Sequence, residues 1–461
     1  METVKIPRLV IAGTNSGVGK TTLVIGLLAA LKKRGLTVRS YKVGPDYIDP
    51  GYHYLASGQH AHNLDTWLMP TDKLVEMFSN TAAAADLVLI EGVMGLYDGG
   101  ENGISSTANI AKLLKAPVVL VLDAKAMGES AAALALGFKL YDPGIDFAGV
   151  IANRLGSVNH QKIVEQALQK KDMAVVGAFL RDDRLRMPER HLGLTPIEEN
   201  DTKGFMELLA TKIEEQIDVE KLVAIANTAP LLEVLPRKKH RVLRKVRLGV
   251  ARDEAFSFYY PESLAVLSRY GAELIEFSPL TDKEPPDVDG LFFGGGFPEM
   301  FADRLTANKS MRQSLVLAAK KGMPIYAECG GLMYLAEQLV DFDGRGYAMV
   351  GIIPAVCRMQ EKLQAVAYVE AKVLKKNILC DCSDVFRGHE FHFSQMMPLT
   401  NDFPWAFEFS KNRTGANYFG GYAKGNILAS YLHIHFMGQE KAAETFIKAC
   451  ETFKENLFAG F

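Results

Sequence analysis

The segment Gly13-Thr-Asn-Ser-Gly-Val-Gly-Lys-Thr-Thr22 stands between a short apolar run, RLVIAG, and a helical pattern from Lys20 to Arg34 that Gly35 stops. A glycine loop set between strand and helix lets backbone N–H groups curl around phosphate oxygens, with the helix N-terminus adding positive dipole. Strict spacing for such a loop asks for glycine at position 14; here that residue is Thr14, and Gly13 comes one residue early. The loop therefore predicts nucleotide binding. Gly17 and Gly19 shape it, Lys20 reaches the outer phosphates, the Thr21 hydroxyl ligates Mg²⁺, and Thr22 completes the set.

The segments after the loop extend the constraint to the whole first half. VRSYKV, DLVLIEG, APVVLVLD and FAGVIAN read as buried parallel strands with helices between them. This alternation predicts an α/β fold, an open parallel sheet that binds ligands at the carboxyl ends of its strands. Two loops fall at such ends, Lys42-Val-Gly-Pro-Asp-Tyr-Ile-Asp49 and Glu91-Gly-Val-Met-Gly-Leu-Tyr-Asp98. Mg²⁺ takes one or two carboxylates beside phosphates and waters, so Asp46 and Glu91 are candidate ligands with Thr21. Lys42 is a candidate for neutralising a phosphoryl group in flight. Tyr47, Asp49 and Asp98 are weaker substrate-facing candidates; the two aspartates suit loop capping equally well.

The rhythm fades after about residue 200, where two polar helical patterns come next, Asp201 to Gln216 and Val219 to Asn227. The basic run Pro236 to Arg247 has no interleaved aromatics and reads as a solvated linker. A second alternation then begins at VRLGVA, with LFFGGG and MPIYAEC as strands, and becomes strand-rich after Gly346. The expected domains are 1–235, a linker at 236–245, and 246–461, two cores being natural for 461 residues.

Cys329 comes after a buried strand and precedes Gly330-Gly331 and a helix, the setting of an exposed nucleophile on a tight turn. The glycines of LFFGGGFPE are placed to offer N–H groups to an oxyanion. SYLHIHF puts His433 and His435 on one face of a late strand, and either can act as the base for a thiol. The other cysteines lack such a setting, and Cys380-Asp-Cys382 has no second pair to make a metal site. Five cysteines, odd in number and confined to the second half, fit free thiols in a reducing cytoplasm. A net charge of −2 offers no reason to expect nucleic acid or an anionic membrane surface, and no apolar stretch is long enough to span a bilayer.

The blocks AGTNSGVGKTT, KVGPDYIDPGYH, NLDTW and IEGVMGLYDG resemble the cobyrinic acid a,c-diamide synthase family, whose ATP domain is similar to dethiobiotin synthetase and shares the early-glycine loop. GGGFPE, ECGGLMYL, RGHEFHFS and SYLHIHF resemble, in order, the class I glutamine amidotransferase domain of the same group. The resemblance implies that ATP phosphorylates a carboxylate of a corrinoid tetrapyrrole and that ammonia from glutamine displaces the phosphate. It carries over Cys329 as nucleophile, His433 as its base, and Gly295 and Gly296 near the oxyanion. Asn153 becomes a candidate for reading adenine, with a strand-end cap as the alternative. In the class I pattern a Glu stands two residues after the His; this chain has His435 there, which leaves the orientation of His433 open. Relatives of this layout act on hydrogenobyrinic acid or nickel sirohydrochlorin. A P-loop switch ATPase is the rival from another class, and it gives Cys329 and His433 no task. A homodimer is compatible with this reading.

Overall fold

The computed structural model describes residues 2–185, 189–190, 193–194, 203–234, 245–411 and 416–459. Most of the basic run expected as a linker, residues 236–244, lies outside the described residues, as do Asp201 and Thr202 of the helical pattern before it. The chain divides into two compact units, one of residues 1–66 and 70–238, the other of residues 67–69 and 239–461.

The first unit is built on a seven-stranded sheet. Its strands are β1 (Arg8–Gly13), β2 (Val38–Val43), β3 (His62–Leu64), β4 (Leu87–Glu91), β5 (Val118–Asp123), β6 (Phe147–Leu155) and β7 (Val175–Leu180). They lie in the order β3-β2-β4-β1-β5-β6-β7, and every pairing is parallel. Both faces are covered, which is why β1 and β4 are buried at every residue and read as unbroken apolar runs. The helix α1 (Lys20–Lys33) sets Leu23, Leu27 and Leu31 against Leu9, Ile11 and Val121 of the sheet. Burial of each such side chain contributes about 1.5–3 kcal/mol. Arg8 is a charged exception inside a core strand. Its guanidinium is fully buried and donates to the carbonyls of Ile6, Leu114, Lys115 and Pro230.

The second unit has a ten-stranded mixed sheet. Four parallel strands, β8 (Val246–Ala251), β9 (Ala272–Phe277), β10 (Gly290–Phe293) and β11 (Ile325–Glu328), form one end. The strands β12 (Ala365–Val373), β13 (Val385–His392), β14 (Trp405–Lys411), β15 (Asn417–Lys424), β16 (Ile427–Ser430) and β17 (His433–Ile434) complete the sheet. The order is β9-β8-β10-β11-β16-β15-β14-β12-β13-β17, with β16 parallel to β11 and all later pairings antiparallel. A four-stranded sheet of residues 336–340, 346–348, 353–359 and 394–398 accompanies it. Trp67 packs in this unit, its indole N–H donating to the Gly388 carbonyl at 3.0 Å beneath the Arg387 guanidinium.

The expected strands of both halves form, as do the helices Lys203–Gln216 and Val219–Thr228. In the two large sheets three strands lie where the sequence pattern predicts none: His62–Leu64, Val175–Leu180 and Ala272–Phe277. The late run ILASYLHIHF is not one strand. It breaks after Ser430 and resumes for two residues only, so period-two alternation does not hold across it.

Candidate functional sites of the two units

In the first unit, strand register decides which side chains meet. Ile11 and Lys42 both pair with Glu91 across parallel neighbours, so the ends of β1, β2 and β4 converge below the glycine loop. Gly19 has φ +95°, a conformation that suits glycine and opens α1 at Lys20. Thr21 Oγ1 donates to Glu91 Oε1 at 2.6 Å and lies 3.2 Å from Asp49 Oδ2. The Lys42 ammonium bridges the same two carboxylates, at 2.6 Å to Asp49 and 2.7 Å to Glu91.

His53 Nε2 sits 2.7 Å from the second oxygen of Glu91. Glu91, Lys42, Asp49 and His53 are all buried. Burial alone would raise the Glu91 carboxyl, but Lys42 and then His53 hold it well below the usual range. Burial would likewise lower Lys42; Asp49, Glu91 and Asp46 overcome this and keep it protonated. Asp49 goes the other way, raised by burial and by its neighbour Asp46.

Asp46 and Asp49 divide their tasks. Asp46 Oδ1 accepts from the N–H groups of Ile48 and Asp49 and so caps the helix α2 (Asp49–Ser57), while the Asp49 carboxylate joins the Thr21 cluster. Tyr47, between them, is half-buried. Asp98 Oδ2 accepts from Gly95 N–H and closes its own loop. Lys20 donates to the carbonyls of Met94 (2.6 Å) and Asn15 (3.3 Å). Asn153, at the end of β6, donates to the Val18 carbonyl at 2.7 Å, and the next residue, Arg154, donates to the Gly17 carbonyl. Thr22 stands next to Thr21 in the first turn of α1, half-buried.

In the second unit, Cys329 sits between β11 and the short helix Gly330–Leu335 with φ +46° and ψ −103°. A non-glycine residue held there stores about 1–3 kcal/mol of backbone strain, which its surroundings must impose. Cys329 N–H donates to the Ser430 carbonyl and Gly331 N–H to the Gly294 carbonyl. A side chain on Gly331 would press to 2.7 Å from the Phe293 carbonyl, so the double glycine lets the turn close on β10. The same packing puts Gly296 beside Gly330 and Gly295 beside His433, since a Cβ on Gly295 would lie 2.8 Å from the imidazole Cε1.

The expected exposure of this cysteine is corrected here: Cys329 is only 7% exposed. Burial, and then Glu299, push its thiol well above the ordinary range, with Glu328 and Glu390 adding less; the Gly330 N–H pulls the other way. A thiolate therefore requires a partner that removes the proton.

His433 pairs with His389 across β17 and β13, and the two rings stack with centroids 4.9 Å apart. His433 Nδ1 lies 3.1 Å from Glu328 Oε2. His435, expected on the same face, turns elsewhere. Its ring lies against Tyr260, and its Nε2 is 3.7 Å from Glu262. His392 stacks on Tyr431 and bonds the Ser394 carbonyl through Nδ1. No disulfide joins the five cysteines, and Cys380 Sγ bonds Asn377.

Residues 9–194 match the CobQ/CobB/MinD/ParA nucleotide binding domain, and residues 247–441 match the CobB/CobQ-like glutamine amidotransferase domain. Over 459 residues the chain is 46% identical to a cobyrinate a,c-diamide synthase of Dehalococcoides mccartyi, covering 97% of this chain and 99% of that one. It is 40% identical to the synthase of Leptospira interrogans over 97% of this chain and 99% of that one. With the synthase of Archaeoglobus fulgidus it shares 42% identity over 96% and 97%. The chain belongs to the cobyrinate a,c-diamide synthase family.

Membership accounts for two sites in one chain. As a member of the cobyrinate a,c-diamide synthase family the protein has a nucleotide-binding unit and a glutamine amidotransferase unit. In the first, Lys20, Thr21, Lys42, Asp49 and Glu91 come together, and Asp46 stands one step back as the cap of α2. Two participants escaped sequence reasoning. His53 could have been found as the residue one helical turn beyond Asp49, on the same face of α2. Glu328 had no such signal, because its partner His433 lies 105 positions away.

Proposed function

We propose that the protein converts the a and c acetate carboxylates of cobyrinic acid to carboxamides, using ATP and glutamine. The observation that carries this reading is near-full-length relationship to cobyrinate a,c-diamide synthases, in a chain that retains both the Thr21–Glu91 cluster and the Cys329 turn. A P-loop switch ATPase would give the second cluster no chemistry.

Cys329 is the nucleophile toward the glutamine amide and His433 the base that takes its proton. Ammonia leaves, and a glutamyl thioester remains for water to hydrolyse. The N–H groups around Gly295 and Gly296 suit the oxyanion of that addition. In the first unit a substrate carboxylate oxygen attacks the outer phosphorus of ATP, ADP leaves, and an acyl phosphate forms. Ammonia then attacks the acyl carbon, phosphate departs, and the nitrogen loses a proton. Lys20 and Lys42 supply positive charge to the phosphoryl group as it transfers.

Mg²⁺ would be held by the Thr21 hydroxyl and Glu91, with Asp49 or Asp46 as the second carboxylate, and supplies charge neutralisation on the phosphates. The donor set fits the ion: Asp49 and Glu91 each present a hard oxygen within hydrogen-bond reach of the Thr21 hydroxyl. Among the described residues there is no all-protein cluster of three or more His, Cys, Asp or Glu ligands. That suits an ion which keeps waters and phosphates in its shell.

The test is mass spectrometry after incubation with Mg-ATP, amide-¹⁵N glutamine, and cobyrinic acid, hydrogenobyrinic acid or nickel sirohydrochlorin. Two labelled amides on cobyrinic acid are expected. ATP and glutamine consumption with no label on any of the three would keep the amidotransferase and discard the corrinoid substrate.

A further inference from the structure

We propose that Glu328, the residue directly before the nucleophile, is the positioning residue for His433. The inference rests on the reading of Cys329 and His433 as the glutaminase pair and adds the group that orients the base.

Three features of the second unit carry it. The first is contact: Glu328 Oε2 lies 3.1 Å from His433 Nδ1, and the two residues are 3% and 2% exposed. The second is that the carboxylate is itself clamped. Its other oxygen accepts from the Tyr326 hydroxyl at 2.6 Å and from the Ile434 N–H at 3.4 Å. Tyr326 and Glu328 alternate to one face of β11, so the strand that delivers the nucleophile also delivers the holder of the base. The third is that the position two residues after the histidine, where the class I pattern has Glu, is His435, whose ring lies against Tyr260. The break in the chain after Ser430, paired with Glu328 across β11 and β16, is what lets His433 come back over the carboxylate.

The pairing dictates the chemistry. A carboxylate on Nδ1 accepts its proton, fixes the tautomer and leaves the Nε2 lone pair as the basic site. When the imidazole takes the thiol proton, the adjacent anion stabilises the imidazolium. Glu328 alone disfavours a thiolate at Cys329, so its benefit reaches the sulfur only through His433. The other titratable groups nearby are His389, stacked on His433 and kept neutral by burial and by that neighbour, and Tyr260, bonded to His389. Glu299 and Glu390 act on the cysteine itself.

The experiment compares Glu328→Gln, His433→Ala, their double variant and Cys329→Ala in the full chain. Glutamate release, with kcat and KM separated, and amide formation from ammonium salts are measured. Glu328→Gln should lower glutaminase kcat on the order of 10²-fold or more with little change in KM, as loss of a triad carboxylate does. Ammonium-driven amidation should survive. In the His433→Ala background the same change should cost almost nothing. An equal cost in both backgrounds, a rise in KM instead of a fall in kcat, or parallel loss with both nitrogen sources would overturn the proposal in favour of a structural role. Glutaminase surviving in Cys329→Ala would instead overturn the underlying pair, a result that Glu328→Gln cannot mimic.

Discussion

At the scale of single residues, the buried state of Cys329 sets an ordering among the five thiols. Cys329 is held protonated by burial and by nearby carboxylates, and Cys357, Cys380 and Cys450 are also buried with their thiols pushed up by burial, Cys357 and Cys380 to about 12. Cys382 is exposed. The thiolate is the reactive form, so iodoacetamide at neutral pH should label Cys382 first and leave Cys329 largely unmodified in the absence of glutamine. A diazoketone analogue of glutamine should reverse that preference, since binding would place its electrophile at the sulfur. Peptide mass mapping of both reactions checks the ordering; rapid iodoacetamide labelling of Cys329 would contradict its buried, protonated state. The strand-to-helix turn at Cys329 was legible from the double glycine beside it, whereas its burial was not, because that depends on Tyr431 and Phe293 from separate segments.

The Glu91 cluster gives a second residue-scale expectation. Glu91 is fully buried and carries Thr21, Lys42 and His53 at once. Glu91→Ala leaves the Lys42 ammonium with Asp49 alone, and breaking a buried pair costs about 3–5 kcal/mol. Chemical denaturation should register that loss. ATP-dependent amidation should fall with it, while glutaminase measured on the remaining folded protein stays near the parent value. A variant with parent stability would show that water replaces the carboxylate at no cost.

At the scale of elements, the glycine loop is tied down by the strand beside it. Gly19 lies in the left-handed region, and a Cβ there would collide with the Asn153 amide nitrogen, which itself donates to the Val18 carbonyl. Gly19→Ala should therefore destabilise by about 1–2 kcal/mol from backbone conformation alone, with the collision added. Asn153→Ala removes two side-chain hydrogen bonds, one to the Val18 carbonyl and one from the Arg154 N–H, and should cost about 1–3 kcal/mol. The double variant should cost less than the sum, because removing the amide relieves the collision. Urea unfolding of the three variants measures this, and strict additivity would mean that loop and strand do not communicate.

Burial and length together explain part of what was legible at this scale. The continuous runs of β1, β4 and β5 announced themselves, whereas β9 is half-buried with two glutamates in six residues, and β3 is only three residues long. The break before β17 was invisible because the apolar pattern continues through Tyr431 and Leu432 into buried positions.

At the scale of the whole molecule, two motif sets in fixed order along one chain were enough to read the reaction, since each half names a different reagent. What the sequence withheld were pairings set by tertiary contact, such as Glu328 with His433 and His53 with Glu91. The joint chemistry makes one more demand. Under the proposed mechanism, ammonia freed at Cys329 is useful to the acyl phosphate only while unprotonated, and bulk water near neutral pH protonates it. With amide-¹⁵N glutamine and an equal concentration of unlabelled ammonium chloride at neutral pH, the product amides should therefore be mostly ¹⁵N. Raising the pH should let unlabelled nitrogen compete, because free ammonia becomes more abundant. In Cys329→Ala the label should disappear while unlabelled product persists. An amide whose isotope ratio simply matched the nitrogen pool in solution would mean that released ammonia equilibrates with solvent before it is used.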